Sequence, residues 1–268
     1  MADYTDKDIL ENVKERYGEI ARHSQDETAG SASCCGGVID PFDLIKPRTQ
    51  SAKMGYSEEE IASVPEGAVM GLGCGNPQAI AALRSGEVVL DLGSGAGFDA
   101  FLAARKVGDQ GLVIGVDMTP DMIQLARKNA KAGGYDNVEF RLGQIEQMPV
   151  EDNSVDVILS NCVINLSPDK AAVYREAYRV LRKGGRLAIS DMVASGEMPP
   201  EIKDNLALHS SCVSGALQVD ELKGILIEAG FKEIHIKPKD ESREFINKWT
   251  PGVPIEDFVL SATIEAAK

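Results

Sequence analysis

The chain has 268 residues, 43% hydrophobic and 26% charged, the balance of a soluble globular protein long enough to bury a substantial core. A formal net charge of −14 argues against nucleic-acid backbones and anionic membranes as partners, and suits a small neutral or cationic substrate or a redox partner. No run of eighteen apolar residues occurs, and the opening MADYTDKDIL is acidic without an apolar signal core, so a cytoplasmic protein is expected.

In chain order, ADYTDKDILENVKERYGEIAR carries helical spacing and predicts an N-terminal helix with a solvated charged face, whose Tyr17 can pack near a cofactor. Ser24 to Ser33 is small and polar and reads as a mobile connection. Residues 57–84 read as two or three short helices, the last opened by Asn76 as N-cap and Pro77 at the first position. From residue 87 strands alternate with helices. EVVLDLG, GLVIGVD, NVEFRLG, VDVILSN and RLAISDM are five apolar strands. Between them lie helices in GFDAFLAARKV, from Pro120 to Ala132, and from Ser167-Pro168-Asp169 to Arg182. The last two open on proline and an acid and end on paired glycines. A helix near 219–229 ended by Gly230 follows, then FKEIHIK and DFVLSATIEA, read as an antiparallel edge. This alternation predicts an α/β fold, a doubly wound, mostly parallel sheet of seven strands covered on both faces.

The strongest motif is VLDLGSGAGFD. A strand runs through Asp91, and a tight turn follows through Gly93, Ser94, Gly95 and Gly97 into a helix. Glycines let a ligand approach the backbone, and doubly wound sheets bind ligands at the carboxyl ends of their strands. The dinucleotide fingerprint is G-x-G-x-x-G. Here the spacing is G-x-G-x-G, with Asp91 two residues ahead. An acid there repels a pyrophosphate and suits an ammonium. Asp117, ending the second strand, is placed to bond ribose hydroxyls, which NAD and S-adenosylmethionine would use alike. Together with REAYRVLRKGGRLAISD, the region resembles the class I S-adenosylmethionine-dependent methyltransferases over about residues 65–200. The resemblance implies S-adenosyl-L-methionine as cofactor, its adenine near Met118, Gln144, Ile145 and Glu146. Many relatives carry aspartate where Gln144 stands. Asn161 and Asn165 can line the same pocket, or serve as ordinary turn formers at a strand end.

Five cysteines, Cys34, Cys35, Cys74, Cys162 and Cys212, form no CxxC and are odd in number, which argues against a disulfide framework. Cys162 follows the fourth strand directly, beside the crevice. Cys212 lies after the fifth strand, in a segment that usually closes over substrate. Cys74, in GLGCGNP, precedes the proposed helix, whose dipole favours a thiolate, and its glycine neighbours predict an exposed, mobile thiol. Three thiolates from three loops suit a soft ion with trigonal coordination, whereas zinc takes a fourth ligand and closer spacing. Arsenic(III) binds three sulfurs and keeps a lone pair that can accept a methyl group. SCCGG, GLGCGNP, SNCVINLSPDK and SCVSGAL are similar, in the same order, to the cysteine motifs of the arsenite methyltransferases, a likeness spanning about residues 30–268. That resemblance implies methylation of arsenite and methylarsenite, with the arsenic-binding triad on Cys74, Cys162 and Cys212. It also implies redox exchange by an N-terminal cysteine, a role for which Cys34 and Cys35 compete. A bond between these neighbours strains disulfide geometry. One of them is therefore expected to reach Cys74, with thioredoxin or another dithiol as external reductant.

These readings divide the chain into an N-terminal helix and cysteine-bearing arm (1–64), a cofactor-binding core (65–200), and substrate-side helices with edge strands (201–268). Two other functions fit the sequence. One is methyl transfer to a small organic substrate with incidental cysteines, the other metalloid binding without catalysis. His23, His209 and His235 are scattered with no visible partner, and the eight methionines read as core fillers.

Overall fold

A computed structural model describes residues 4–24, 47–247, 249 and 253–268. α1 (Asp6–His23) opens on a reciprocal cap, in which Thr5 Oγ1 takes the Asp8 N–H and the Asp8 carboxylate takes the Thr5 N–H. α2 (Pro47–Lys53), not expected from the sequence, is followed by α3 (Glu58–Ala62) and α4 (Gln78–Ala81), where Asn76 Oδ1 receives the Ala79 N–H as a cap does.

Five parallel strands follow: β1 (Val88–Leu92), β2 (Leu112–Asp117), β3 (Val138–Leu142), β4 (Val155–Asn161) and β5 (Leu181–Ala194). α5 (Phe98–Val107), α6 (Pro120–Gly133) and α7 (Lys170–Val180) connect them. α7 is shorter than expected at both ends. Its cap is Asp169, which takes the Ala172 N–H, and it stops before Leu181, where β5 begins. Ser167 cannot serve as that cap, because its hydroxyl is bonded to Glu146 and the Asp169 N–H.

The remainder is α8 (Pro200–Lys203), α9 (Leu206–His209), β6 (Leu217–Gln218), α10 (Val219–Ala229), β7 (Lys232–Lys239), α11 (Arg243–Ile246) and β8 (Val259–Ala267). Gly230 ends α10 at φ 103°, a left-handed turn that glycine adopts without strain. β8 inserts between β5 and β7, antiparallel to both, giving the order β3-β2-β1-β4-β5-β8-β7. The seven expected strands all lie on this path. β6, beside the end of β5, makes the sheet eight-stranded.

Each face of the sheet carries its own apolar core. Phe101, Leu102, Ile123 and Ala126 of α5 and α6 pack on one face with Val89, Val113 and Leu159. On the other, Val173, Tyr174 and Ala177 of α7 and Leu222 and Leu226 of α10 meet Leu90, Ile158 and Ile189. With β2 on one side of β1 and β4 on the other, the strand order reverses there, and at such a switch point doubly wound sheets open a crevice beyond the carboxyl ends. The site is built at that place.

Candidate active site

The crevice beyond β1 and β4 is walled by Asp91, Gly93, Ser94, Gly95, Asp117, Met118, Ile145, Glu146, Asn161 and Cys162, with Leu10, Val13 and Tyr17 of α1 across it. The glycine loop is held by its neighbour strand. Gly95 N–H donates to Asp117 Oδ2 (3.0 Å), Thr119 N–H to Asp117 Oδ1 (2.8 Å), and Ser94 N–H to the Val116 carbonyl (3.1 Å). Gly93, at φ 61°, has no room for a side chain, since a Cβ would fall 2.3 Å from Val163. Gly97 lies behind the wall. A Cβ there would meet the Phe101 ring at 2.7 Å, so its smallness serves core packing. Gln144 departs from expectation, since it is exposed and outside the lining, while its neighbours Ile145 and Glu146 line the crevice.

Among the described residues the lining holds four acids, Asp91, Asp99, Asp117 and Glu146, and no lysine or arginine. Asp91 is 3% exposed, and its Oδ2 is buried without a hydrogen-bond partner, as is Ser94 Oγ. Burial, then the neighbouring Asp99 and Asp117 charges, push the Asp91 carboxyl well above its ordinary range. A pyrophosphate would be repelled from such a wall. A ligand carrying an ammonium and a sulfonium would relieve the repulsion and give the Asp91 oxygen its missing partner. S-adenosylmethionine fits on this ground.

One amide links this crevice to the cysteines. Asn161 Nδ2 donates to the Gly75 carbonyl (2.8 Å) and to Tyr56 Oη (3.0 Å), and its Oδ1 accepts the Cys74 N–H (3.0 Å). Tyr56 in turn donates to both oxygens of Asp99 (2.8 and 2.9 Å), which Gln78 also approaches. Burial lifts Asp99 to about 6, against the hydrogen bonds from Tyr56, Asn161 and Gln78.

Cys74, Cys162 and Cys212 lie in one apolar cluster with Val13, Leu166, Met192 and Trp249. Cys74 is 1% exposed, not the open and mobile thiol that its glycines imply. Asn161 and the Ser261 hydroxyl of β8, which donates to the Cys74 carbonyl at 2.8 Å, lock that loop inward. The Cys74 and Cys162 sulfurs are joined in a disulfide with Cα atoms 5.8 Å apart. The expected partner of Cys74 was Cys34 or Cys35; both lie outside the described residues, and a disulfide within the buried cluster was not expected. Cys212 is a buried thiol whose Sγ donates to the Cys162 carbonyl at 2.7 Å, and burial and then Asp191 push its pKa well up. Cys162 (φ 57°) and Cys212 (φ 62°) both sit in the left-handed region, uncommon for a residue with a side chain.

Sequence reasoning missed Tyr56, Asp99 and Asp191. Asp191 lies within 4.8 Å of the Cys74 and Cys162 sulfurs and receives the N–H groups of Ile164, Asn165 and Met192. Its carboxyl is raised to about 6 by burial, and the Lys170 ammonium is among the groups that hold it down. Of the histidines, His209 has a partner, the Leu166 carbonyl at 3.1 Å. No helix among the described residues is long and apolar enough to cross a membrane.

The fold and the acid-walled glycine loop are those of a methyltransferase domain, and the family model of that description matches residues 83–230. An arsenite methyltransferase of Halobacterium salinarum is 48% identical over 275 residues, covering 100% of this chain and 68% of that protein. One from Aquipseudomonas alcaligenes is 37% identical over 83% of this chain and 62% of its own length. The solved arsenic(III) S-adenosylmethionine methyltransferase from Chlamydomonas reinhardtii superposes with TM-score 0.61 at 33% identity, over 84% of this chain and 74% of the other. The chain belongs to the arsenite methyltransferases, and spans between about six and seven tenths of the length of these two curated relatives.

Proposed function

We propose that this chain moves a methyl group from S-adenosylmethionine to trivalent arsenic, arsenite or methylarsenite, held by Cys74, Cys162 and Cys212, as a step in arsenic detoxification. One observation carries the reading: three cysteines from distant loops share one buried cluster that reaches an acid-lined crevice through Cys162. The cofactor supplies a methyl group on a sulfonium, activated for transfer to a soft lone pair. Asp91 and Ser94 hold its amino-acid end, Asp117 its ribose, and Met118, Ile145 and Glu146 the adenine side.

The three thiolates fix arsenic so that its lone pair faces the crevice, about 3 to 3.5 Å from the transferred carbon. Segment 201–268 supplies the Cys212 side of the site. Transfer needs little acid–base chemistry. It formally leaves arsenic(V), and two thiolates can return two electrons to it by joining as a disulfide. The Cys74–Cys162 bond is the form expected after such a step. Cys34 and Cys35, with thioredoxin or another dithiol in a reducing, cytoplasmic compartment, then restore the thiols by exchange.

The test is to incubate the purified, reduced protein with arsenite, thioredoxin and methyl-labelled cofactor and to speciate the arsenic. Methylated arsenicals are expected from the wild type and none above background from Cys162→Ser or Cys212→Ser, because a hydroxyl is a poor arsenic ligand. Full activity in either variant would point instead to an organic methyl acceptor.

A further inference from the structure

α1 is a wall of two cavities. Leu10, Val13 and Tyr17 face the cofactor crevice, while Arg16, Tyr17 and Ile20 face a smaller cavity that opens on Cys162 and Cys212. The carboxyl end of α1 is tied to the cofactor side, where Arg22 Nη1 lies 2.7 Å from Asp121 in the first turn of α6, a few residues past Asp117. One turn and a half earlier, Arg16 reaches the other side. Its Nη1 donates to Ser211 Oγ (3.0 Å), Ser210 Oγ (3.2 Å) and the Ala207 carbonyl (3.3 Å), and Tyr17 Oη to the Ser210 carbonyl (3.5 Å).

These are the residues that lead into Cys212. The segment that carries them has little regular structure of its own, since α9 is four residues long. Cys212 follows in a left-handed conformation, which persists in a residue with a side chain only where the surroundings hold it. The surroundings on this side are α1.

We propose that Arg16 is a positioning residue that transmits occupancy of the cofactor crevice to Cys212, so that the third arsenic-binding thiol is set in place when α1 is seated over bound cofactor. The proposal rests on the reading of the crevice and triad given above. It makes cofactor binding and arsenic binding mutually reinforcing, since a coupling between two sites acts equally in both directions.

The test uses the full chain, reduced, with S-adenosylhomocysteine titrated to saturation in each variant so that a change in cofactor affinity does not confound the readout. Iodoacetamide labelling, resolved by mass spectrometry, follows Cys212 and Cys162 separately. In the wild type S-adenosylhomocysteine should slow Cys212 labelling about tenfold, within the usual range of coupling between sites. In Arg16→Gln the slowing should fall below about twofold, and in Arg16→Lys part of it should return. The Ser210→Ala/Ser211→Ala double variant removes the receiving hydroxyls and should reproduce the Arg16→Gln result, which keeps the question answerable if Arg16→Gln fails to fold. A second arm measures arsenite affinity with and without S-adenosylhomocysteine, which should differ about tenfold in the wild type and be equal in Arg16→Gln. Undiminished cofactor protection of Cys212 in both the arginine and the serine variants, or no protection in the wild type, overturns the proposal. If arsenite binds to none of the proteins while cofactor still protects Cys212 through Arg16, the positioning role stands and the reading of arsenic as substrate fails.

Discussion

At the scale of single residues, Asn161 ends β4, directly precedes Cys162 and takes the Cys74 N–H, so one side chain sets the spacing of two sulfurs that are 88 positions apart in sequence. Tyr56 and Asp99 hold that amide from behind. Tyr56→Phe removes the nearest donor to Asp99 and one acceptor of the Asn161 amide, leaving Gln78, Gly75 and Cys74 among their remaining partners, which costs about 1 to 3 kcal/mol. The expected outcome is a folded enzyme with a lower unfolding midpoint and a KM for arsenite raised more than that for cofactor; a rise in the cofactor KM alone would place Tyr56 with the cofactor. Asp117→Ala removes the acceptor of two loop N–H groups and the proposed ribose contact. Calorimetric titration should show cofactor affinity about ten- to a hundredfold weaker, the worth of a charge-assisted bond of about 1.5 to 3 kcal/mol. Asp99 also gives a pH signature. Its folded pKa of about 6 lies above the ordinary 3.8, so it contributes most to stability while protonated, and that contribution is lost as pH rises from about 4 through 6. The melting temperature of wild type minus that of Asp99→Asn should therefore fall across this window, and a flat difference would show that Asp99 is not so perturbed. Asp91 and Asp117 were legible in the sequence because strand ends fix where their side chains stand, Asp91 just before the glycine turn and Asp117 just before the start of α6. Tyr56 and Asp99 were not, since their partners come from 43 and 62 residues away and no local spacing announces such a contact.

Among the elements, the glycine turn into α5 is the place where packing and ligand binding compete for space. Gly97 has φ 98°, and a Cβ there would lie within 3 Å of both the Phe101 and Phe140 rings. Overpacking costs about 1 to 3 kcal/mol and a left-handed alanine about 1 to 2 kcal/mol more. Gly97→Ala should lower stability by a few kcal/mol in urea titration, and cofactor binding should weaken only as far as the loop shifts. A variant as stable as wild type would mean that the rings give way. The five parallel strands and their helices could be read from sequence because alternation of apolar runs with capped helices leaves few other folds open. Helix ends were less legible. The Ser167-Pro168-Asp169 signal holds two possible caps, and which hydroxyl or carboxylate is free depends on Glu146, twenty-one residues upstream. α2 was missed because seven residues carry too little periodicity to separate from a loop.

For the molecule as a whole, three clustered cysteines and a crevice of acids make the site sensitive to its oxidation state. With Cys74 and Cys162 joined, two of the three proposed arsenic ligands are withdrawn. Protein isolated without reductant should yield a Cys74–Cys162 cross-linked peptide in mass spectrometry and bind little arsenite, and a dithiol should restore binding near one arsenic per chain; equal binding before and after reduction would count against the triad. The order of the sheet has a different consequence, one for synthesis. β8 lies between β5 and β7, bonded to both, yet it is made after either of them. While residues 259–267 are still to be added, β5 presents a long unpaired edge, of the kind that joins to other chains. Parallel strands on the ribosome can assemble early, but the Cys74 loop, which leans on Ser261, and the sheet beyond β5 must wait. Nascent chains halted before β8 should therefore aggregate or recruit chaperones more than chains extended past it.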